Sequence, residues 1–157
     1  MCIRDSPTNY LDLYASLFGL SGYETRPWLS VPNPRKIEGK SVVINRTARW
    51  VSKDHNPQWD LWRNQGYEDQ ALFVGLPAEY AAFCEATGWE IPWYATSNML
   101  DLAEVIAGAD IFIGNQSQCY ALAVGLGVGQ IHCEIRRDLP IERNECYFPK
   151  RSNIEYF

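Results

Sequence analysis

ADIFIGNQSQCYALAVGLGVGQIHCE, from Ala109 to Glu134, decides how this chain folds. Ile111-Phe112-Ile113 is an apolar run short enough for a buried strand. Gly114-Asn115-Gln116-Ser117 then breaks the pattern with small and polar residues. From Gln118 the spacing predicts a helix, with Tyr120, Leu122, Ala123 and Leu126 supplying apolar contacts. Gly125, Gly127 and Gly129 are expected to end it, and Val128 to Cys133 reads as the next strand. Strand, polar turn, helix, strand is one βαβ unit. It sets unpaired N–H groups at a helix start against the carboxyl end of a parallel strand. The helix dipole adds partial positive charge there, so an anion is stabilised. Ser117 can cap the helix or offer a hydroxyl to a phosphate. A plain turn and cap would use the same residues.

The same alternation extends upstream. Ser41 to Asn45 (SVVIN) is a compact apolar strand, and Arg46-Thr47-Ala48-Arg49-Trp50 follows at its carboxyl end. Open parallel sheets bind ligands outside such ends, and Arg46 and Arg49 can grip a phosphate that Thr47 supports with a hydroxyl. Pro57 to Gln65 predicts a helix with Trp59 and Trp62 inward. Ala71 to Val74 is a strand ended by Gly75. Pro77 to Thr87 is a helix with proline in its first turn, closed by Gly88. Glu79 lies in that first turn, where it complements the dipole or accepts from a ribose. Ile91 to Tyr94 is a short strand. Ser97 or Asn98 caps a helix over Met99 to Ala107, ended by Gly108. The pattern β-α-β-α-β-α-β-α-β implies an α/β, Rossmann-like parallel sheet with helices on both faces. Asn144 to Phe157 returns as an extended segment or a final helix.

Length and composition narrow the function. The 157 residues fit one domain, 46% of them are hydrophobic, and the net charge of -5 argues against a nucleic-acid partner. From Arg35 to Lys53 six basic residues face one acid, Glu38, while from Asp54 to Asp110 ten acids face Arg63 alone. A basic run in an acidic chain suggests a local anion site, or else a solvated face. The five cysteines, at 2, 84, 119, 133 and 146, form no C-x-x-C pair. Cys84, Cys119 and Cys133 sit in apolar patterns, and with the odd count this points to a reducing compartment, with neither a disulfide framework nor a structural zinc. His55 and His132 have no metal-ligand spacing. No apolar run approaches a membrane span, and no signal peptide is visible, so a cytoplasmic location is expected.

At the start, MCIRDS (residues 1–6) resembles translated adapter sequence rather than native protein. Asn9 to Leu20 is amphipathic at helical spacing, and Tyr23 to Lys40, rich in proline and glycine, reads as an extended connection. Residues 7–40 are therefore expected to be an interdomain helix and linker, and 41–157 the Rossmann-like domain. On this expectation an upstream domain is missing.

In this order the pieces resemble the C-terminal, nucleotide-sugar-binding half of GT-B glycosyltransferases, and within them family 9, the heptosyltransferase-like group. SVVINRTARW resembles that family's strand and phosphate-site loop. FVGLPAEYAAF resembles its strand, glycine turn and helix with an early Glu. LAEVIAGADIFIGNQSQCYALA resembles its run L-A-x-x-I-x-x-A-D-x-x-I-G-N-D-S-G-x-x-H-L-A. The resemblance covers roughly Ser41 to Glu134. It implies that Ser117 and its backbone contact a diphosphate, that Arg46 or Arg49 neutralises it, and that Glu79 contacts the ribose. The implied site is Arg46, Thr47, Arg49, Gly75, Glu79, Asn115, Gln116, Ser117 and Gln118. The implied reaction moves a hexosyl or heptosyl group from a nucleoside diphosphate sugar to a glycan or lipid-linked acceptor, without a metal or other cofactor. The catalytic base would lie in the missing domain. This chain departs from the family at three positions: Gln116 stands for Asp, Gln118 for Gly and Ala121 for His. A non-catalytic relative that binds a nucleotide or a protein is the alternative they favour. Another Rossmann-like enzyme, such as a sugar-nucleotide epimerase, is a third, weakened because no G-x-G-x-x-G follows a strand.

Overall fold

The computed structural model describes residues 17–20, 27–51, 56–136 and 151–157. The N-terminal hexapeptide, most of the 9–20 amphipathic stretch, Lys53, His55, Cys2 and Cys146 lie outside the described residues.

Among the described residues, six parallel strands form one sheet: β1 (Val42–Asn45), β2 (Ala71–Val74), β3 (Trp93–Tyr94), β4 (Ile111–Asn115), β5 (Gln130–Glu134) and β6 (Ile154–Tyr156). Their order is β3-β2-β1-β4-β5-β6. The first three strands build outward to one side and the next three to the other, so β1 and β4 meet at a topological switch point. Between the strands lie α1 (Gln58–Asn64), α2 (Tyr67–Gln70), α3 (Pro77–Thr87), α4 (Met99–Ala107) and α5 (Gln118–Leu126). The α/β, Rossmann-like architecture expected from the alternation is what the chain forms.

Strand residues alternate between two buried clusters, as the period of two requires. Val43, Leu72, Val74, Phe112, Ile131 and Cys133 pack with Leu102, Val105 and Ile106 of α4 and Tyr120, Ala123 and Val124 of α5. Val42, Ile44, Ala71, Phe73 and Ile113 pack on the opposite face with Trp59, Trp62, Phe83 and Trp89. Trp59 is the centre of that second cluster, in edge-on contact with Trp62, Phe83, Trp89 and Phe157. Edge-on aromatic pairs add roughly 0.5–1.5 kcal/mol beyond area burial.

Local signals place the helix ends. Pro77 opens α3, and Gly88, at φ 69°, closes it with its N–H on Cys84. Asn98, not Ser97, is the N-cap of α4; its side chain accepts from the Asp101 N–H at 2.9 Å. Several boundaries differ from expectation: β3 starts at Trp93 rather than Ile91, and β5 starts at Gln130 rather than Val128 and runs on to Glu134. β4 runs on through Asn115, because Gly114 and Asn115 pair with Cys133 and Glu134 of β5. α5 continues through Gly125 and stops at Gly127. The reason for Gly125 is contact from outside: a Cβ there would sit 2.7 Å from Leu29 Cδ1. The Trp28 and Leu29 amides also donate to the Gly125 carbonyl, at 2.9 and 3.0 Å.

The proline-rich stretch before β1 is thus laid against α5. It also reaches α4, where Arg35 pairs with Asp101 at 2.6 Å and Glu104 at 3.1 Å. Hydrogen bonds from Ser97, together with the Arg35 charge, hold the Asp101 carboxyl below its ordinary range. Of the open alternatives for the C-terminal tail, the described part is extended: β6 pairs with β5, with Cys133 opposite Tyr156.

Candidate functional site

The site is built where β1 and β4 part. Asn45, the last residue of β1, is buried, and both ends of its amide are used. Nδ2 donates to the Val74 carbonyl at 2.9 Å, and Oδ1 accepts from Ser117 Oγ at 2.8 Å. Ser117 in turn caps α5, accepting from the Tyr120 N–H at 3.3 Å. The Ser117 proton is therefore directed at Asn45, and a ligand meets the oxygen rather than a free donor. The amide of Gln118, first in the helix, has no backbone or side-chain acceptor among the described residues, and that of Cys119 meets only its own thiol. They are the donors the turn offers to an anion.

Asn115 ends β4 and holds the facing loop. Its Oδ1 accepts from the Thr47 N–H at 3.0 Å, and its Nδ2 donates to the Thr47 carbonyl at 2.6 Å. The 46–47 and 115–117 loops therefore sit side by side at the switch point. Arg46 turns the other way. Its Nε and Nη2 donate to Glu134 at 2.5 and 3.0 Å, and the Glu134 side chain is 0% exposed.

A cleft of about 470 Å³ opens beside this junction, on the β2–β3 side. Thr47, Gly75, Glu79, Ser117 and Gln118, all expected site residues, line it. Gly75 has φ 130°, and a Cβ there would lie 2.6 Å from Asn45 Nδ2 and 2.7 Å from Glu79 Oε2. Glycine is thus required both by the backbone turn and by two polar side chains. Glu79 accepts from the Leu76 N–H at 2.9 Å and carries the one formal charge on the described lining. Arg46, Arg49, Asn115 and Gln116 are not on the wall. Arg49 is exposed on a 3-10 turn over Ala48–Trp50, Asn115 lies buried beneath Thr47, and Gln116 is half-buried at the turn.

The other wall is apolar and was not marked in the sequence. Leu76, Trp93 and Met99 line the mouth, with Trp93 39% exposed. Trp93 Nε1 donates to the Gly75 carbonyl at 3.0 Å, and Tyr80 stacks on the ring at 6.4 Å between centroids. Trp93 belongs to a two-residue strand with no periodicity to expose its role; only an aromatic residue on an edge strand could have flagged it. Cys119 also lines the cleft. Burial, with Glu79 nearby, pushes its thiol up to about 12, so it stays protonated at neutral pH.

Among the described residues, the basic run from Arg35 does not gather into one patch. Arg35 serves Asp101 and Glu104, Lys40 donates to the Asp69 carbonyl, and Arg46 is held by Glu134. Among the described residues no helix is long and apolar enough to cross a membrane.

The sequence matches no protein-family model and no curated protein. Among solved structures, the chain is similar to the crystal structure of the glycosyl transferase family 9 from Veillonella parvula DSM 2008. The TM-score is 0.52 at 12% identity, over 93% of this chain and 38% of that one. The chain therefore spans less than half the length of that protein, and what the two share at this identity is the fold: a Rossmann-like sheet of the kind found in a family 9 glycosyltransferase.

Proposed function

We propose that the chain is the donor-binding half of a glycosyltransferase, taking a nucleoside diphosphate sugar into the cleft beside β1 and β4. One observation carries this reading. The cleft joins an apolar aromatic wall, Leu76, Trp93 and Met99, to the first-turn amides of α5, across the switch point of a parallel sheet. A flat base fits the first and a phosphate the second. Glu79 lines the same cleft, and its carboxylate can accept from a sugar hydroxyl.

In this reading a hexosyl or heptosyl group passes to an acceptor hydroxyl on a glycan or lipid-linked molecule, held by a further domain in the cytoplasm. Negative charge grows on the leaving diphosphate as the glycosidic bond breaks. Fixed N–H groups aimed at that charge lower the barrier, since they need no reorganisation as the charge appears. The chain's own donors supply this stabilisation, with no metal or other cofactor. A carboxylate that deprotonates the acceptor belongs to the further domain.

The competing reading, a non-catalytic relative that binds a nucleotide or a protein, has its own support. The described lining carries no cation, and the Ser117 proton is engaged by Asn45.

The test is a titration of the 157-residue chain with ADP, UDP and GDP, followed by tryptophan fluorescence, to which Trp93 on the cleft wall contributes. The proposal expects saturable binding of at least one of them, lost in Gly75→Ala. No saturable change with any of the three contradicts it.

A further inference from the structure

We propose that Glu134 is a specificity-determining residue: by holding Arg46 away from the cleft, it limits how much negative charge the cleft accepts. The inference rests on the nucleotide-binding reading above and assigns a regulating side chain to that site.

Three consecutive residues carry the argument. Asn45 and Thr47 line the cleft, and Arg46 between them does not. The Arg46 guanidinium instead makes two hydrogen bonds to Glu134, which is wholly buried, and its own side chain is only 11% exposed. Asn115 fixes the next peptide by bonding both the N–H and the carbonyl of Thr47, so the backbone that directs Arg46 is held at the same end of the sheet. One of the loop's two guanidinium groups is thereby neutralised one residue from the cleft.

What the cleft wall itself offers an anion is partial charge, the first-turn amides of Gln118 and Cys119, opposed by the Glu79 carboxylate; the Thr47 hydroxyl is turned to Asn115 Oδ1 at 3.4 Å. These donors satisfy one phosphate well. A second ionised phosphate gains little from them and is repelled by Glu79. Drawing Arg46 across would leave Glu134 charged and unpaired inside the protein, which a ligand at the surface does not compensate. The cleft therefore discriminates little between a nucleoside monophosphate and its diphosphate. Glutamine at 134 keeps an oxygen for Arg46 Nε but removes the competing charge, and the freed guanidinium then rewards the second phosphate.

The experiment compares AMP with ADP, UMP with UDP and GMP with GDP on the wild-type chain and on Glu134→Gln, with circular dichroism confirming that both are folded. In the wild type the diphosphate is expected to bind less than threefold better than the monophosphate. In Glu134→Gln the preference rises at least threefold above the wild-type ratio, and adding Arg46→Ala to that variant returns it. A ratio that does not rise in folded Glu134→Gln overturns the proposal and leaves the nucleotide reading standing. Should Glu134→Gln fail to fold, the wild-type ratio decides: below three supports the proposal, and three or more overturns it. If neither protein binds any of the six nucleotides, the nucleotide reading itself is wrong and this proposal falls with it.

Discussion

On one side of the β1–β4 junction the ends of the strands are open; on the other they are stapled shut. Towards β2 and β3, Asn45 and Thr47 face a cleft with exposed Trp93, Met99 and Leu76 at its mouth. Towards β5, Arg46 is bound to buried Glu134. Two residues further back along β5, buried His132 lies beside Glu155 of β6 and against the ring of Trp62. The difference teaches that a single three-residue segment serves two purposes. Its outer residues shape a binding surface, and its middle residue ties the loop to the closed side that keeps the surface in place.

The comparison breaks most visibly at the staple. Arg46→Ala leaves the Glu134 carboxylate buried without its partner. Removal of one member of such a pair costs about 3–5 kcal/mol. Urea unfolding of Arg46→Ala checks this, and a loss below about 1 kcal/mol would mean that the closed side does not depend on the pair.

Next in size is the clamp between the two loops. Asn115→Ala deprives the Thr47 N–H and carbonyl of their partners, a loss of about 1–3 kcal/mol for buried groups left unsatisfied. The same unfolding assay reads it. If the loops are held independently of Asn115, the variant will unfold with the wild type.

On the open side, Gly75→Ala puts a side chain at φ 130° and crowds Asn45 and Glu79. Strain of this kind costs of order 1–3 kcal/mol. A stability loss in that range, without loss of the far-UV spectrum, separates a closed cleft from an unfolded chain.

Acid probes the closed side more gently. Burial holds the His132 imidazole below its ordinary range, against the upward pull of Glu155. The unfolded chain then binds the proton at higher pH than the folded one. This contribution to stability is complete above about pH 6.5 and declines as the pH falls through the interval down to the folded value. Thermal melts from pH 8 to pH 5 should show the decline, with a shallower slope in His132→Phe; equal slopes would remove His132 as its source.

The smallest effect is expected at Arg49. Its exposed side chain has no described partner, so Arg49→Ala should change stability by less than about 0.5 kcal/mol. A larger loss would show that the 3-10 turn is part of the staple.

Much of this architecture could be read before any coordinates. Apolar runs placed five strands, because strands buried on both faces are continuous hydrophobic segments. Pro77, Gly88, Asn98 and Ser117 marked helix ends through local chemistry that needs no tertiary partner. The short helix over Tyr67–Gln70 and the 3-10 turn over Ala48–Trp50 were missed, since one turn has no period to detect. Gly125 reads as a terminator although it lies inside α5, because the contact that selects it comes from Leu29. The expected site residues divide for the same reason. Thr47, Gly75, Glu79, Ser117 and Gln118 sit in the turns that follow strands or in the first turns of the next helices, where topology alone brings them to one cleft. Whether Arg46 faces that cleft is decided by Glu134, 88 positions along the chain. No local pattern reports such a partner.

The most direct measurement of the central claim is amide chemical-shift mapping of the isotope-labelled chain during titration with ADP, UDP and GDP. The account predicts that at least one of them moves the Gln118 and Cys119 amides together with those of Thr47 and Gly75. Shifts confined to surfaces away from the β1–β4 junction, or none at saturating nucleotide, would contradict it.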